Sequence, residues 1–267
     1  MPAAPMLAAV DLDGTLLTDS GVLQAADAEA IRAWIGSGRQ LAILTSRSPT
    51  GVWTAMGDAV AGCLVGSFNG ALLHRRHPRW HGLEPDVLAT PRRLGPDCAS
   101  GLWRLLTGRG LPVLWYTASE LFCNVLTAKV RREIRLTGES VTVTAACPRG
   151  DAYKILCVSD PEAPALDGVE RSIPLDCSWT RSRSGNLEIL DREVDKATAL
   201  RTICRQLGVT PAETIAIGDG DNDVTMLRYA GISVAVANAS RAALDAARLV
   251  TRSNNDNGVA HALAPYL

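Results

Sequence analysis

Short apolar runs alternate with amphipathic stretches along much of the chain, and this alternation constrains the fold more than any other feature of the sequence. The strand-like runs lie at residues 7–10, 41–44, 63–68, 214–217, 232–236 and 249–251. The helix-like stretches lie at residues 25–37, 50–60, 197–207, 223–229 and 241–247. Strands that are joined by helical crossovers form parallel sheets. The sequence therefore predicts an α/β fold built on a mostly parallel, open sheet.

The middle of the chain has a different pattern. From about residue 80 to residue 185 the prolines are denser, and helical stretches separate strand-like runs at 113–117, 121–123, 141–144 and 155–159. We interpret this segment as a second α/β domain inserted into the first. The predicted boundaries give a first domain from residues 1–79 and 186–267, and an inserted domain from residues 80–185.

Composition and charge exclude several classes of protein. Apolar residues make up 47% and charged residues 21%, which is typical of a globular chain rather than a disordered or fibrous one. A net charge of −1 provides no field that would attract nucleic acid or a membrane surface. No run approaches the ~20 apolar residues of a membrane helix. The 7 cysteines include no Cys-x-x-Cys pair, which indicates a reduced, cytoplasmic protein.

The strongest chemical signal is the hexapeptide DLDGTL at residues 11–16, directly after the first strand-like run. Ligands of open parallel sheets bind beyond the carboxyl ends of the strands. Residues i and i+2 of an extended segment point the same way, so the carboxylates of Asp11 and Asp13 can converge on one substrate. The alternative is a surface turn, because Asp and Gly also favour turns.

A second acidic segment, GDGDND at residues 218–223, follows another apolar run. Acids from two strand ends that face one crevice repel each other unless a cation lies between them. Hard carboxylate oxygens suit Mg²⁺. A calcium loop would instead require a Glu about nine residues beyond Asp221, where the sequence has Ala230. The two acidic segments together predict a magnesium site.

Two further features complete a predicted phosphate site. Thr45 and Ser46 follow the second strand-like run and offer hydroxyl and backbone N–H groups near a helix start, where anions bind. Lys196 stands at the start of the helix that re-enters the first domain, where its ammonium can neutralise a phosphoryl oxygen. Only Lys129, Lys154 and Lys196 among the 27 basic residues are lysine, which draws attention to these positions.

These motifs, in this order, resemble the haloacid dehalogenase (HAD) superfamily, and within it the Cof-type phosphatases with an α/β cap of type IIB. The resemblance covers essentially the whole chain. Its four motifs correspond to residues 11–16, Thr45, Lys196 and residues 218–223. The segments at 69–71, 187–189, 238–239 and 256–260 also resemble this subgroup. Ser46 and Ala197 depart from the pattern, because glycine is usual at both positions.

The resemblance implies that phosphate esters are hydrolysed through an aspartyl-phosphate. Asp11 is the implied nucleophile, and Asp13 the acid that protonates the leaving group and then activates water. Catalytic roles are also implied for Thr45 and Lys196. The implied phosphate-binding residues are Leu12, Thr45, Ser46, Lys196 and Asn222. The implied metal ligands are Asp11, Asp13 and Asp219, and the implied supporting residues are Asp223 and Asn69.

The implied architecture is a Rossmann-like catalytic core with a cap at residues 80–185 that sets substrate specificity. The expected function is a Mg²⁺-dependent phosphatase for a small soluble phosphomonoester, with sugar phosphates as the expected class. We expect a cytoplasmic monomer or homodimer without nucleic-acid or membrane partners. Three alternatives stay open: a phosphomutase, a phosphatase of the mannosyl-phosphoglycerate or sucrose-phosphate type, and a non-catalytic phospho-receiver or binding module. The sequence does not identify the substrate.

Overall fold

A computed structural model of the 267-residue chain describes residues 4–75, 86–161, 163–181 and 185–267. Its strands are β1 (Leu7–Val10), β2 (Gln40–Leu44), β3 (Leu64–Ser67), β4 (Leu72–Arg75), β5 (Asp86–Val87), β6 (Val113–Tyr116), β7 (Leu121–Cys123), β8 (Val141–Val143), β9 (Lys154–Cys157), β10 (Cys177–Arg181), β11 (Leu187–Asp191), β12 (Thr214–Gly218), β13 (Ile232–Ala235) and β14 (Leu249–Val250). Its α-helices are α1 (Ala25–Gly36), α2 (Pro49–Met56), α3 (Pro96–Gly108), α4 (Ala128–Thr137), α5 (Lys196–Leu207), α6 (Val224–Tyr229), α7 (Arg241–Ala246) and α8 (Gly258–Leu263).

The chain divides into two compact units. The first unit comprises residues 1–46, 55–90 and 195–267, and the second comprises residues 47–54 and 91–194. The sequence predicts domain boundaries near residues 80 and 185, where residues 76–85 and 182–184 lie outside the described part of the chain. The exact boundaries stay a prediction, and the second unit extends to residue 194, beyond the predicted residue 185, because β11 pairs with β9 and β10.

An eight-stranded sheet forms the centre of the first unit, in the order β14-β13-β12-β1-β2-β3-β4-β5. The strands from β14 to β3 are parallel, whereas β4 and β5 pair antiparallel at one edge. All four residues of β1 are buried, as expected for a strand covered on both faces, which reads as a continuous apolar run. The predicted α/β class with a mostly parallel sheet is confirmed.

The centre of this sheet is a topological switch point. β1 pairs with β2 on one side and with β12 on the other, and the chain continues outwards from each neighbour. Val10 and Ile217, near the carboxyl ends of β1 and β12, are register partners. Ligands of open α/β sheets bind outside the carboxyl ends of the strands at such a point. The residues that follow β1 and β12 are therefore placed side by side.

The second unit has its own sheet and its own core. Its six strands lie in the order β10-β11-β9-β6-β7-β8, and all neighbours are antiparallel except the parallel pair of β7 and β8. Trp103 of α3 and Trp115 of β6 are both buried in this core, with ring centroids 6.3 Å apart in an edge-to-face arrangement. No helix in the described residues has the length and hydropathy of a membrane span.

The structure differs locally from the sequence predictions. The predicted helix at 50–60 ends at Met56 and continues only as a 3₁₀ turn at Gly57–Val60, because Gly57 adopts a positive φ of 49° that an α-helix does not contain. The edge strands β4 and β5 were not predicted, since they add an antiparallel hairpin-like extension to a sheet whose pattern indicates parallel crossovers.

Candidate active site

Three buried carboxylates converge at the switch point. Asp11 directly follows β1, and its N–H donates to the carbonyl of Ile217 at 3.0 Å. Asp219 directly follows β12, and Asp223 lies on the turn that leads into α6. One carboxylate oxygen of each Asp lies within 4.8 Å of the other two. Among the described residues, this cluster is the one built entirely from hard oxygen donors.

The ammonium of Lys196 is enclosed by two of these carboxylates. Its Nζ lies 2.6 Å from Oδ1 of Asp11 and 2.6 Å from Oδ1 of Asp223, and the side chain has no exposed surface. Lys196 is the first residue of α5, and the N-cap residue Asp195 accepts a 2.7 Å hydrogen bond from the N–H of Thr198. The helix start therefore fixes the point from which the lysine side chain extends.

The charges of the cluster are not balanced. Burial alone would lower the pKa of Lys196, but the carboxylates of Asp11 and Asp223 raise it overall, so the ammonium stays protonated. Burial, followed by the charge of Asp223, raises the pKa of Asp11 well above its usual value even though Lys196 acts in the opposite direction. Three carboxylates against one ammonium leave an excess of negative charge. Mg²⁺ fits this set, since it prefers carboxylate oxygens and brings two positive charges.

Asp223 also holds the backbone of its own loop. Its Oδ2 accepts hydrogen bonds from the N–H groups of Asp219 and Gly220, both at 2.9 Å. A Cβ on Gly218 would lie 2.6 Å from Cγ of Asp223, so only glycine allows this close approach. Asp223 thus connects Lys196 to the loop that carries Asp219.

The turn after β1 supports Asp219 from the other side. The hydroxyl of Thr15 donates to Oδ1 of Asp219 at 2.7 Å. Gly14 has a φ of 78°, and a Cβ at this position would lie 2.7 Å from Oδ2 of Asp219. Glycine is required there for both reasons. The carbonyl of Leu12 accepts the N–H groups of Thr15, Leu16 and Leu17, which closes the turn.

Thr45 and Asn222, two predicted phosphate-binding residues, are connected through Asn69. Thr45 is buried directly after β2, and its carbonyl accepts the N–H of Asn69 at 2.7 Å. Asn222 Nδ2 donates to Asn69 Oδ1 at 3.0 Å. Phe68 and Asn69 both have positive φ values, of 53° and 57°, a conformation that is uncommon for residues with side chains and is often found at functional sites.

The other predicted site residues lie around this cluster. Leu12 is buried, Ser46 is half-buried, and Asp13 is exposed. The Asp13 carboxylate does not belong to the cluster of three carboxylates. The metal contact that the family resemblance implies for Asp13 uses its backbone carbonyl, and this contact stays a prediction.

Two supporting residues have no role in the sequence predictions. Thr15 lies within the first motif, and Asn238 lies in the segment at 238–239 that resembles the subgroup. Asn238 Nδ2 donates to the carbonyl of Gly14 at 2.7 Å, and Asn238 Oδ1 accepts the N–H of Asn254 at 2.9 Å. The position of Asn238 just beyond β13, another parallel strand of this sheet, is the signal that could have identified it.

Comparisons with known proteins agree with this geometry. The family model described as haloacid dehalogenase-like hydrolase matches residues 8–263. The Bacillus subtilis protein named "Putative phosphatase YxeH" is 31% identical over an alignment of 275 positions, which covers 96% of each chain. A haloacid dehalogenase-like hydrolase from Bacteroides thetaiotaomicron superposes with a TM-score of 0.82 and 25% identity, over 98% of this chain and 100% of that chain.

A similar fold occurs in the solved structure of the HAD subclass IIB sugar phosphatase BT4131. The TM-score is 0.81 at 20% identity, and the match covers 97% of this chain and 98% of that chain. At this level of identity the likeness shows the fold alone. The predicted family is confirmed by the match over nearly the whole sequence. The chain is therefore an enzyme of the haloacid dehalogenase-like hydrolase family.

Proposed function

We propose that the protein is a Mg²⁺-dependent phosphatase that hydrolyses small soluble phosphomonoesters through an aspartyl-phosphate on Asp11. One observation carries this proposal. The carboxylate of Asp11 lies at the carboxyl end of β1, 2.6 Å from a fully buried lysine and within 4.8 Å of two further carboxylates. The family match and the name of the Bacillus subtilis relative support phosphate-ester hydrolysis.

Asp11 is the proposed nucleophile. Lys196 binds its Oδ1 and fixes the direction of the carboxylate, which reduces the cost of orienting the attacking oxygen. A carboxylate that approaches a phosphate dianion is opposed by charge. Lys196 offsets part of this repulsion, because an ammonium inside a buried site acts strongly on the phosphoryl oxygens.

Mg²⁺ would be held by Asp11 and Asp219 with the backbone carbonyl of Asp13, and it would supply positive charge to the phosphoryl group. Asp223 positions Lys196 and the Asp219 loop. Thr45, Ser46, Asn222 and the segment at Leu12 are proposed to bind the phosphoryl oxygens. Asn69 supports this group through its contacts to Thr45 and Asn222.

Asp13 is proposed to act as the acid and base. It lies two residues beyond Asp11 and is exposed, so it can reach a leaving group that the buried cluster cannot contact. It would donate a proton to the departing alkoxide and then remove one from the water that hydrolyses the aspartyl-phosphate. Dehalogenases of this superfamily lack an acid at this position, so Asp13 favours phosphoryl transfer over carbon–halogen cleavage.

The proposed substrate class is sugar phosphates, which is the class named for BT4131. We propose that residues 80–185 form the cap that selects the leaving group. A cytoplasmic location is also proposed, because the 7 cysteines of the sequence include no Cys-x-x-Cys pair.

A panel of phosphorylated metabolites tests the function directly. We expect phosphate release from one or more sugar phosphates in Mg²⁺, loss of that release with a chelator, and recovery when Mg²⁺ is restored. Equal release with and without the chelator, or no release from any ester, would overturn the proposal. Phosphate that moves to a second sugar instead of to water would identify a phosphomutase.

Thr15 provides a test of the metal site that leaves the proposed ligands intact. Thr15→Val removes the hydrogen bond to Asp219 Oδ1, and loss of a partner that orients a ligand typically costs ~10–100-fold in metal affinity. We expect the Mg²⁺ concentration for half-maximal activity to rise by this factor, with little change at saturating Mg²⁺. Thr15→Ser, which keeps the hydroxyl, is the matched control. The same half-maximal concentration in wild type and Thr15→Val would contradict this role.

A further inference from the structure

Two cysteines of the second unit bring their sulfur atoms into contact. Cys98 lies in the first turn of α3, and Cys177 is the first residue of the edge strand β10. Their Sγ atoms are 3.3 Å apart. Cys177 is 9% exposed and belongs to the core of this unit, and the partly exposed Cys98 packs against the same core. The pair therefore joins a helix start to a sheet edge at the boundary between core and solvent.

The carboxylate of Asp176 adds a third possible ligand atom to the two sulfurs. Asp176 precedes Cys177, and its Oδ1 lies 3.8 Å from Sγ of Cys177. One ligand atom from each of Cys98, Asp176 and Cys177 lies within 4.8 Å of the other two. Asp191, the register partner of Cys177 in β11, adds a second negative charge nearby.

The distances agree with binding of one metal ion. Zn²⁺ binds thiolate sulfur at about 2.3 Å and carboxylate oxygen at about 2.0–2.2 Å, in tetrahedral geometry. Such bonds place neighbouring ligand atoms about 3.5–3.8 Å apart. The observed separation of 3.8 Å between Cys177 Sγ and Asp176 Oδ1 lies within this range, and the 3.3 Å between the two sulfurs lies slightly below it.

The electrostatic surroundings also favour a cation. The carboxylate of Asp176 lies beside the two sulfurs and Asp191 stands opposite Cys177 in β11, so a cation in this position would offset their negative charge and stabilise the thiolates. The first turn of α3 adds a smaller favourable contribution, because its N–H groups point toward negative charge.

The carboxylate of the group is open to solvent, since Asp176 is exposed. Asp176 and Asp191 line an open depression of about 450 Å³ together with Arg92, Leu175, Arg192 and Glu193. The two arginines do not take the place of a cation at the thiols. Arg92 forms a 2.6 Å ion pair with Glu193, and Arg192 donates to the carbonyl of Leu175 at 3.4 Å.

We propose that Cys98, Asp176 and Cys177 form a site for a thiophilic divalent cation such as Zn²⁺, with the fourth position filled by water or Asp191. Two sulfurs and one oxygen select this class of ion over Mg²⁺, which binds oxygen ligands. The site would connect the start of α3 to β10 and so stabilise the second unit. It is chemically distinct from the carboxylate cluster around Asp11, and it does not depend on the proposed phosphatase function.

Titration with Co²⁺ in saturating Mg²⁺ and a non-thiol reductant tests this site in the full chain. We expect one equivalent of Co²⁺ to produce thiolate-to-metal charge-transfer absorption, and Zn²⁺ to displace it. Cys98→Ser and Cys177→Ser should each lose this absorption, whereas Asp176→Asn should weaken binding. Cys147→Ser is the matched control, because Cys147 packs against the same core but is absent from the cluster.

A measurement on the wild-type protein tests the site even if one of the variants does not fold. Zn²⁺ should protect Cys98 and Cys177 from alkylation, as measured by mass spectrometry, and should leave the reactivity of Cys147 unchanged. Absence of thiolate absorption in the reduced wild-type protein would overturn the proposal. Equal alkylation of Cys98 and Cys177 with and without Zn²⁺ would also overturn it. Formation of a disulfide between these two cysteines in peroxide would not rescue the proposal, because it shows only that the sulfurs are close.

Discussion

Asp11→Asn is expected to reduce phosphate release by roughly 10⁴-fold or more at saturating Mg²⁺. The amide keeps the volume of the side chain but removes the attacking oxygen anion and one proposed metal ligand. The position of Asp11, 2.6 Å from Lys196 in a buried cluster, leaves no other nucleophile in the proposed mechanism. Steady-state phosphate release from an aryl phosphate and from a sugar phosphate measures the loss.

Asp221→Asn is the matched control for this substitution. Asp221 lies in the same acidic motif, is exposed, and accepts a 2.6 Å hydrogen bond from the hydroxyl of Ser240. It does not belong to the three-carboxylate cluster. We expect this variant to retain its activity. Substantial turnover by Asp11→Asn in saturating Mg²⁺ would exclude Asp11 as the nucleophile.

Lys196→Ala is expected to slow the phosphorylation step by ~10²–10³-fold, the cost of losing one strong transition-state donor. The factor should be similar for sugar and aryl phosphates, because both share the phosphoryl group that Lys196 neutralises. The substitution also leaves Asp11 and Asp223 buried without their cation, which typically costs about 3–5 kcal/mol in the free energy of unfolding. Single-turnover rates and denaturant unfolding measure the two effects separately.

Two variants control the interpretation of this loss. Lys196→Arg keeps the positive charge and should recover little activity, since a planar guanidinium cannot replace a compact ammonium between two carboxylates. Lys129→Ala removes an exposed lysine from α4 and should change neither rate nor stability. A Lys196→Ala effect that is confined to one class of substrate would show that Lys196 acts on the leaving group rather than on the phosphoryl group.

The convergence of Asp11 and Asp219 could be predicted from the sequence because each follows a short, mostly apolar run. Parallel strands have their carboxyl ends at one edge of the sheet, so local patterns were sufficient to bring the two acids together. The same reasoning gave the starts of β2 and α5 to within one residue, and with them the positions of Thr45 and Lys196. The apolar periodicity of each element and the polar residues at the strand ends are local features of the sequence, so they were sufficient for these predictions.

The supporting contacts could not be predicted in this way. Thr15 contacts a residue 204 positions away, and Asn238 contacts the carbonyl of Gly14 across 224 positions. A hydroxyl or amide near a strand end has many possible partners, and only the packed turn selects one of them. No local pattern in the sequence encodes that choice.

The pairing of strands in the second unit also depends on contacts between residues that are distant in the sequence. The runs at 113–117, 121–123 and 155–159 correspond to β6, β7 and β9. Their order in the sheet, with β9 between β11 and β6 and with β8 parallel to β7, depends on contacts between distant segments. The strands β6 to β9 were therefore predictable, whereas β10, β11 and the order of the sheet were not.

Trapping of the phosphorylated enzyme tests the central claim most directly. In Asp13→Asn, an aryl phosphate should still phosphorylate Asp11, because its leaving group needs no proton, whereas hydrolysis of the aspartyl-phosphate should be slow without a base. We expect acid quenching within the first turnover, followed by peptide mass spectrometry, to detect a phosphoryl group on Asp11. Complete release of phosphate in that turnover without any phosphorylated Asp11, or a phosphoryl group on another residue, would contradict the covalent mechanism.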